Sequence, residues 1–201
     1  MNSMNNTPDH NPLFPVFLKP VHIRFLIIGG GNTASEKLFF LLKSSPEAHV
    51  TVIAPEFSGK LIEISQSRRN VTLIQRNFLE EDLSGSSIVI AATRDRKLNL
   101  DIRELARNKN ILVNVADSPE LCDFYLGSIV TRGDLKIAIS TNGKSPVLAK
   151  RIREYLEDAI PEDVRDILAN LSSIRKKLTG NFNEKLKILK EITSNLTVDE
   201  E

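Results

Sequence analysis

The chain has 201 residues, enough for one ordinary domain with an appendage, and its 27 Lys plus Arg against 26 Asp plus Glu leave a net charge of +1. That balance excludes a bulk positive field for nucleic acid or an anionic membrane surface, so any basic site must be local. A single cysteine, Cys122, excludes an internal disulfide framework and cysteine-built zinc sites and fits a reducing cytoplasm. No apolar run approaches the roughly 20 residues of a membrane helix.

Residues 1–12 are rich in Asn, broken by Pro8 and Pro12, and lack the basic start and apolar middle of a secretory signal. They are expected to be a loose tail, with Met4 as an alternative start. Leu13 to Leu18 (Leu-Phe-Pro-Val-Phe-Leu) turns apolar, and the ordered part is expected from there. Between residues 23 and 115 short β-rich runs alternate with amphipathic stretches, the pattern of a parallel sheet with covering helices. Strands are expected at Ile23 to Ile28, Val50 to Ala54, Val71 to Gln75, Ile88 to Ala92 and Ile111 to Val115. Several are apolar at consecutive positions, as strands covered on both faces are. Ala34, Leu38, Leu41 and Leu42 share one helix face, Leu98, Ile102 and Leu105 another, and Glu56 to Arg69 forms a weaker helix around Leu61 and Ile64.

After Val115 the rhythm changes. Residues 127–140 read as two strands joined at Arg132-Gly-Asp134, a hairpin that either extends the sheet or pairs with a second copy. Ser145-Pro146 starts a helix with the stripe Leu148, Ile152, Tyr155, Leu156 and Ala159. Pro161 opens another helical segment, Gly180 and Asn181 break it, and Phe182, Leu186, Leu189 and Ile192 continue a helical stripe. The fold class is therefore α/β: a Rossmann-like parallel sheet, then a small hairpin, then a helical end.

Gly29-Gly30-Gly31-Asn32-Thr33-Ala34 fits the dinucleotide fingerprint G-x-G-x-x-G/A, between a strand and a helix. Gly29 would permit the tight turn, Gly31 would let the backbone approach a pyrophosphate, and the helix-start amides would face the phosphates. A purely structural strand-to-helix turn is the rival reading. At the end of the second strand the usual ribose-binding acid is replaced by Ala54. Glu56 is the nearest substitute, unless it is only an acid offsetting a helix dipole, and the absence of an arginine there modestly favours NAD over NADP. Thr93, in Ala91-Ala-Thr-Arg-Asp95, either contacts the cofactor or caps a turn.

Asp117 follows the fifth strand, at the edge where ligands of such sheets collect, and is placed to accept a proton or meet a metal; alternatively Asn114 and Asp117 only order a turn. Asp123 is less well placed. Cys122 has no histidine after it, and His10, His22 and His49 all precede the functional end, so a small buried apolar role is expected for the thiol. The loop Ser140-Thr-Asn-Gly-Lys-Ser-Pro146 offers hydroxyls from Ser140, Thr141 and Ser145 and a cation from Lys144. It leads into a helix carrying Lys150, Arg151 and Arg153, a setting suited to carboxylates or phosphates, or else a capped helix with a solvated face.

Ile27-Ile-Gly-Gly-Gly-Asn-Thr-Ala-Ser-Glu-Lys, Val50-Thr-Val-Ile-Ala-Pro, Ala91-Ala-Thr, Leu98-Asn, Leu112-Val-Asn-Val-Ala-Asp, Cys122-Asp-Phe and Ile139-Ser-Thr-Asn-Gly-Lys-Ser-Pro-Val-Leu-Ala-Lys-Arg-Ile-Arg occur in that order. Together they strongly resemble the precorrin-2 dehydrogenase family, which includes the dehydrogenase and ferrochelatase part of siroheme synthases. The resemblance runs from about Phe14 to Leu156 and implies a stand-alone form without the methyltransferase region. It implies NAD-dependent oxidation of precorrin-2 to sirohydrochlorin, a cytoplasmic homodimer, and in some members insertion of ferrous iron as a second substrate. Asp117 matches the family's aspartate, implicated in both activities, with Ala116 a mild departure. Asn32, Thr33, Pro55 and Glu56 match its cofactor contacts. Arg132, Lys144, Lys150, Arg151 and Arg153 gain weight as partners for the eight carboxylates of the substrate. The implied organisation is a tail at 1–12, a dinucleotide domain at 13–116, a dimerisation and active-site segment at 117–145 and helices at 146–201. A noncatalytic NAD-sensing module is the competing reading.

Overall fold

The computed structural model describes residues 11–179 and 181–193. The expected tail before residue 11, with Met4, Pro8 and His10, and the helix break at Gly180 lie outside the described residues. The chain divides into two compact units, one taking the chain up to Gly127 with Ser140–Ser145, the other Ser128–Ile139 with the chain from Pro146 onward.

The first unit holds five parallel strands, β1 (Arg24–Ile28), β2 (His49–Ala54), β3 (Val71–Gln75), β4 (Ile88–Ala91) and β5 (Leu112–Val115), in the order β3-β2-β1-β4-β5. Side chains alternate between faces along each strand. Phe25 and Ile27 pack with Ala34, Leu38 and Leu42 of α1 (Asn32–Ser44) and Leu61 of α2 (Gly59–Gln66). Leu26 and Ile28 meet Ile102 and Ala106 of α3 (Arg96–Asn108) on the other side. Each such fully buried Leu or Ile contributes about 1.5–3 kcal/mol, which is why the strands read as continuous apolar runs. The chain leaves β1 in one direction for β2 and β3 and returns to its other side for β4. The crevice beyond the carboxyl ends of β1 and β4 is thus the switch point where such sheets bind ligands.

Helix ends follow local chemistry. Asp95 caps α3, its carboxylate accepting from the amides of Lys97 and Leu98 at 2.9 and 3.1 Å. The same helix closes with Asn110 at φ 56°, while Ile111 N donates to Ala106 O and Asn110 N to Arg107 O, a Schellman ending. The helix expected over Glu56 to Arg69 is shorter, because the Ser58 hydroxyl accepts from Leu61 N and starts α2 at Gly59.

The second unit carries β6 (Ser128–Arg132) and β7 (Leu135–Ile139), antiparallel, followed by α4 (Pro146–Ala159), α5 (Val164–Lys177) and α6 (Phe182–Thr193). The hairpin forms its own two-stranded sheet and does not extend the first one. Arg132 donates to the carbonyls of Ile160 and Glu157 at the end of α4, where helix carbonyls lack partners. Asn181 and Glu184 cap α6 reciprocally, Glu184 N donating to Asn181 Oδ1 and Asn181 N to Glu184 Oε2. The expected α4 stripe is displaced by one residue: Ala149 is buried with Arg153 and Leu156 half-buried, while Leu148, Ile152 and Tyr155 are exposed. A small residue and the aliphatic stem of an arginine form the inner face. No described helix is long and apolar enough to cross a membrane.

Candidate functional site

At the carboxyl end of β1 the three glycines have three different surroundings. Gly29 has φ 129°, and a Cβ there would lie 2.4 Å from Ala92 O, so it brings the turn against the end of β4. Gly30 lies against the β2 loop, where a Cβ would lie 1.8 Å from Glu56 O and 2.8 Å from the Ala54 Cβ. Gly31 faces open space, with nothing within 4 Å of its would-be Cβ. Gly31 is also the N-cap of α1 and supplies no side chain, so the first amides of that helix carry no side-chain cap. Asn32 and Thr33 open the helix beside this gap.

Pro55 and Glu56 are both exposed, in the loop whose backbone touches Gly30. Glu56 is not a helix-start acid: α2 begins at Gly59 with Ser58 as its cap and has no acid in its first turn. That removes the dipole explanation for Glu56, whose backbone carbonyl lies against the glycine turn.

At the end of β4, Thr93 fills the turn-forming role. Its hydroxyl meets Asn99 Oδ1 at 2.7 Å and Asp95 O at 3.0 Å, and Asn99 Nδ2 donates back to Thr93 O.

Beyond β5, Asp117 sits in the left-handed region at φ 58°, exposed, with no hydrogen bond to its carboxylate among the described residues. A non-glycine residue held there stores strain of a kind that clusters at functional sites. Asn114 is 5 % exposed, and its Nδ2 donates to Phe124 O at 2.9 Å while its Oδ1 is buried without a partner among the described residues. Asp123 serves the backbone, its Oδ2 accepting from Val113 N at 3.0 Å. The half-buried Cys122 sulfur lies 3.2 Å from both Val115 N and Val115 O, and burial pushes its thiol pKa up, which keeps it protonated at neutral pH. Iodoacetamide should therefore label Cys122 slowly in the folded protein and quickly after unfolding in urea; rapid labelling of the native chain would contradict this assignment.

The loop 140–145 returns to this unit: a Cβ on Gly143 would lie 3.9 Å from the Pro119 Cβ, two residues beyond Asp117. Its hydroxyls shape it, Ser140 Oγ accepting from Asn142 N and Thr141 Oγ1 from Ser145 N. Lys144 is exposed and makes no ion pair among the described residues. Arg151 belongs to α4 in the second unit, also exposed. On the same helix the exposed Lys150 pairs with Glu154 at 3.8 Å, the solvated charged face that was its alternative, while the half-buried Arg153 pairs with Glu157 and Glu154.

Residues 16–128 match the family described as putative NAD(P)-binding. The chain belongs to this NAD(P)-binding family. A further match, to the sirohaem biosynthesis protein central segment, covers residues 132–159 and so takes in the 140–145 loop and α4. The chain is similar to the siroheme synthase of Pseudoalteromonas translucida (strain TAC 125), 40% identical over 168 residues covering 84% of this chain and 35% of the relative. It is also similar to the siroheme synthase of Methylococcus capsulatus (strain ATCC 33009 / NCIMB 11132 / Bath), 37% identical over 164 residues, 82% of this chain and 34% of the relative. The chain thus spans about a third of the length of these curated relatives. Among solved structures it is similar to SirC, precorrin-2 dehydrogenase, with a TM-score of 0.69, 27% identity, and coverage of 92% of this chain and 94% of that one. The fold and family expected from the sequence are borne out.

The residues of the NAD(P)-binding unit fit a dinucleotide. The gap at Gly31 is the cradle that a side chain would fill, and uncapped amides stand at its edge. Three contributors escaped the sequence reading. Asn99, 6 % exposed, clamps the turn at Thr93 and was visible only as part of Leu98-Asn. Ser35, fully buried, and Ser58 join through their hydroxyls at 2.8 Å, tying α1 to the β2 loop.

Proposed function

We propose that the chain oxidises precorrin-2 to sirohydrochlorin, with NAD as the hydride acceptor and Asp117 as the proton acceptor. The observation that carries this is Asp117 itself: a strained residue whose carboxylate takes no hydrogen bond among the described residues, at the same sheet edge as the glycine turn. The likeness to SirC along nearly its whole chain supports the reading.

Loss of two hydrogens from the macrocycle sends a hydride to NAD and a proton to a base. When bound, NAD supplies the two-electron acceptor. The amides at Gly31, Asn32 and Thr33 would hold its pyrophosphate, and Pro55 and Glu56 would hold the adenosine ribose, where the Glu56 carboxylate would favour the 2′-hydroxyl of NAD over a 2′-phosphate. The Asp117 carboxylate takes the proton; with no hydrogen-bond partner among the described residues its lone pairs are open to substrate. Thr93, whose backbone N would lie 3.2 Å from a Cβ on Gly29, holds the end of β4 beside the glycine turn through its bond to Asn99. Ser140, Thr141, Lys144, Ser145 and Arg151 offer hydroxyls and cations to the substrate's carboxylates. Ferrous iron, if taken, is a second substrate at the same aspartate.

In this reading residues 13–116 hold the cofactor, 117–145 complete the site and the helical end packs the hairpin. The protein works in the cytoplasm as a homodimer, with the open edges of β6 and β7 and the exposed Ile152 and Tyr155 as its contact surface.

Incubated anaerobically with precorrin-2, the purified chain should yield sirohydrochlorin with NAD and much less with NADP. NAD binding with no turnover would favour the sensing module instead.

A further inference from the structure

The dinucleotide turn is held from behind by a chain of hydroxyls. Leu61 N donates to Ser58 Oγ at 3.3 Å, the two hydroxyls of Ser58 and Ser35 lie 2.8 Å apart, and Ser35 Oγ donates to Gly31 O at 3.0 Å. Each hydroxyl has one proton, which fixes the direction of the chain. Ser35 spends its proton on Gly31, so the proton between the serines belongs to Ser58. The order is Leu61 N–H to Ser58, Ser58 to Ser35, and Ser35 to the Gly31 carbonyl, a run in which each bond strengthens the next. Beside it Ser58 N donates to Gly30 O at 2.8 Å, and Ser35 N donates to Gly31 O at 3.0 Å.

These bonds set two peptide planes. In a trans peptide the carbonyl and the following N–H point in opposite directions, and no described peptide is cis. Holding Gly30 O toward Ser58 turns Gly31 N–H the other way, and holding Gly31 O toward Ser35 does the same for Asn32 N–H. Both amides are thereby directed away from the serines, and Gly31 has open space around its would-be Cβ. The same contacts fasten Glu56, two residues before Ser58, to the turn.

We infer that Ser35 and Ser58 are positioning residues for the dinucleotide: their hydroxyl relay orients the Asn32 amide toward a pyrophosphate, the Ser58 backbone N–H does the same for the Gly31 amide, and together they tie the turn to the loop that carries Glu56. The inference rests on reading the glycine turn as the cofactor site. Neither serine touches the ligand.

The test compares Ser35→Ala, Ser58→Ala and Ser58→Thr in the full chain, by calorimetric binding of NAD and of ADP-ribose without tetrapyrrole, alongside thermal midpoints and steady-state kinetics. Losing one relay bond should weaken both ligands about five- to tenfold, the effect of roughly one net hydrogen bond. In Ser35→Ala the KM for NAD should rise in parallel, with kcat falling far less and the thermal midpoint close to native. Ser58→Thr keeps the hydroxyl and the helix cap and should bind NAD nearly as the native chain does, whereas Ser58→Ala should not. Ser35→Ala binding within twofold of native, a fall in kcat at unchanged KM, or Ser58→Thr as weak as Ser58→Ala would each overturn the inference. A native chain that binds NAD but leaves precorrin-2 unchanged refutes the proposed reaction alone, because the relay is read from binding. A native chain with no affinity for NAD overturns both.

Discussion

Gly30→Ala should unfold the site while Gly31→Ala should empty it. At Gly30 the new methyl would lie 1.8 Å from the Glu56 carbonyl and 2.8 Å from the Ala54 Cβ, one of them backbone and neither able to swing aside. Relief requires moving the β2 loop, at a cost of about 3 kcal/mol, or a fall of roughly 6–12 °C in thermal midpoint for a chain of this size. Gly31 has extended φ and ψ of −85° and −164° and an open Cβ position, so alanine meets neither strain nor a neighbour. Its methyl instead fills the space through which a pyrophosphate approaches the helix amides, and NAD affinity should fall about tenfold or more. Calorimetry on both variants separates the two glycines. Equal stability loss in the pair, or native NAD affinity in Gly31→Ala, would contradict the account.

Asp117→Asn should cost about 10²- to 10⁴-fold in kcat, the range for removing a general base, with the affinity for NAD retained. Asparagine is the informative replacement because Asp117 has φ 58°, a conformation that Asn adopts readily and alanine does not. A loss of activity in Asp117→Asn is thus chemical and not a consequence of a distorted turn. Rates within threefold of native would move the base elsewhere. Rapid-quench measurement of sirohydrochlorin formed in one turnover reports the step directly.

The sheet was legible because its chemistry is local. Strands covered on both faces must be apolar at consecutive positions, as Ile88–Ala91 is, buried at every position and ending one residue short of the expected Ala92. Gly29 and Gly31 were legible because a tight turn and a phosphate cradle each demand the same residue at a fixed spacing. Gly30 was not, since its requirement comes from Glu56 and Ala54 folding back across it. The link between Ser35 and Ser58 joins α1 to the cap of α2 across 23 residues of sequence, through side chains that elsewhere cap or back-bond, and nothing in the local pattern distinguishes those uses. Thr93 was legible as a turn residue or a cofactor contact, and its turn bonds to Asn99 come from a side chain six residues on that the local pattern does not reveal. On α4 the pattern was offset by one position, because the inner face there runs through Ala149 and Arg153, whose composition does not advertise burial. Arg132 resembled a carboxylate partner until the end of α4 placed the carbonyls of Glu157 and Ile160 on its guanidinium.

The central claim, that the glycine turn delivers an oxidant to a substrate deprotonated at Asp117, is tested most directly by stoichiometry. Under strict anaerobiosis, purified chain, precorrin-2 and limiting NAD should form sirohydrochlorin and NADH in equal amounts, followed together by their absorbance, and Asp117→Asn should form neither at a comparable rate. Sirohydrochlorin appearing without NADH, or NAD bound with no change in the tetrapyrrole spectrum, would contradict it.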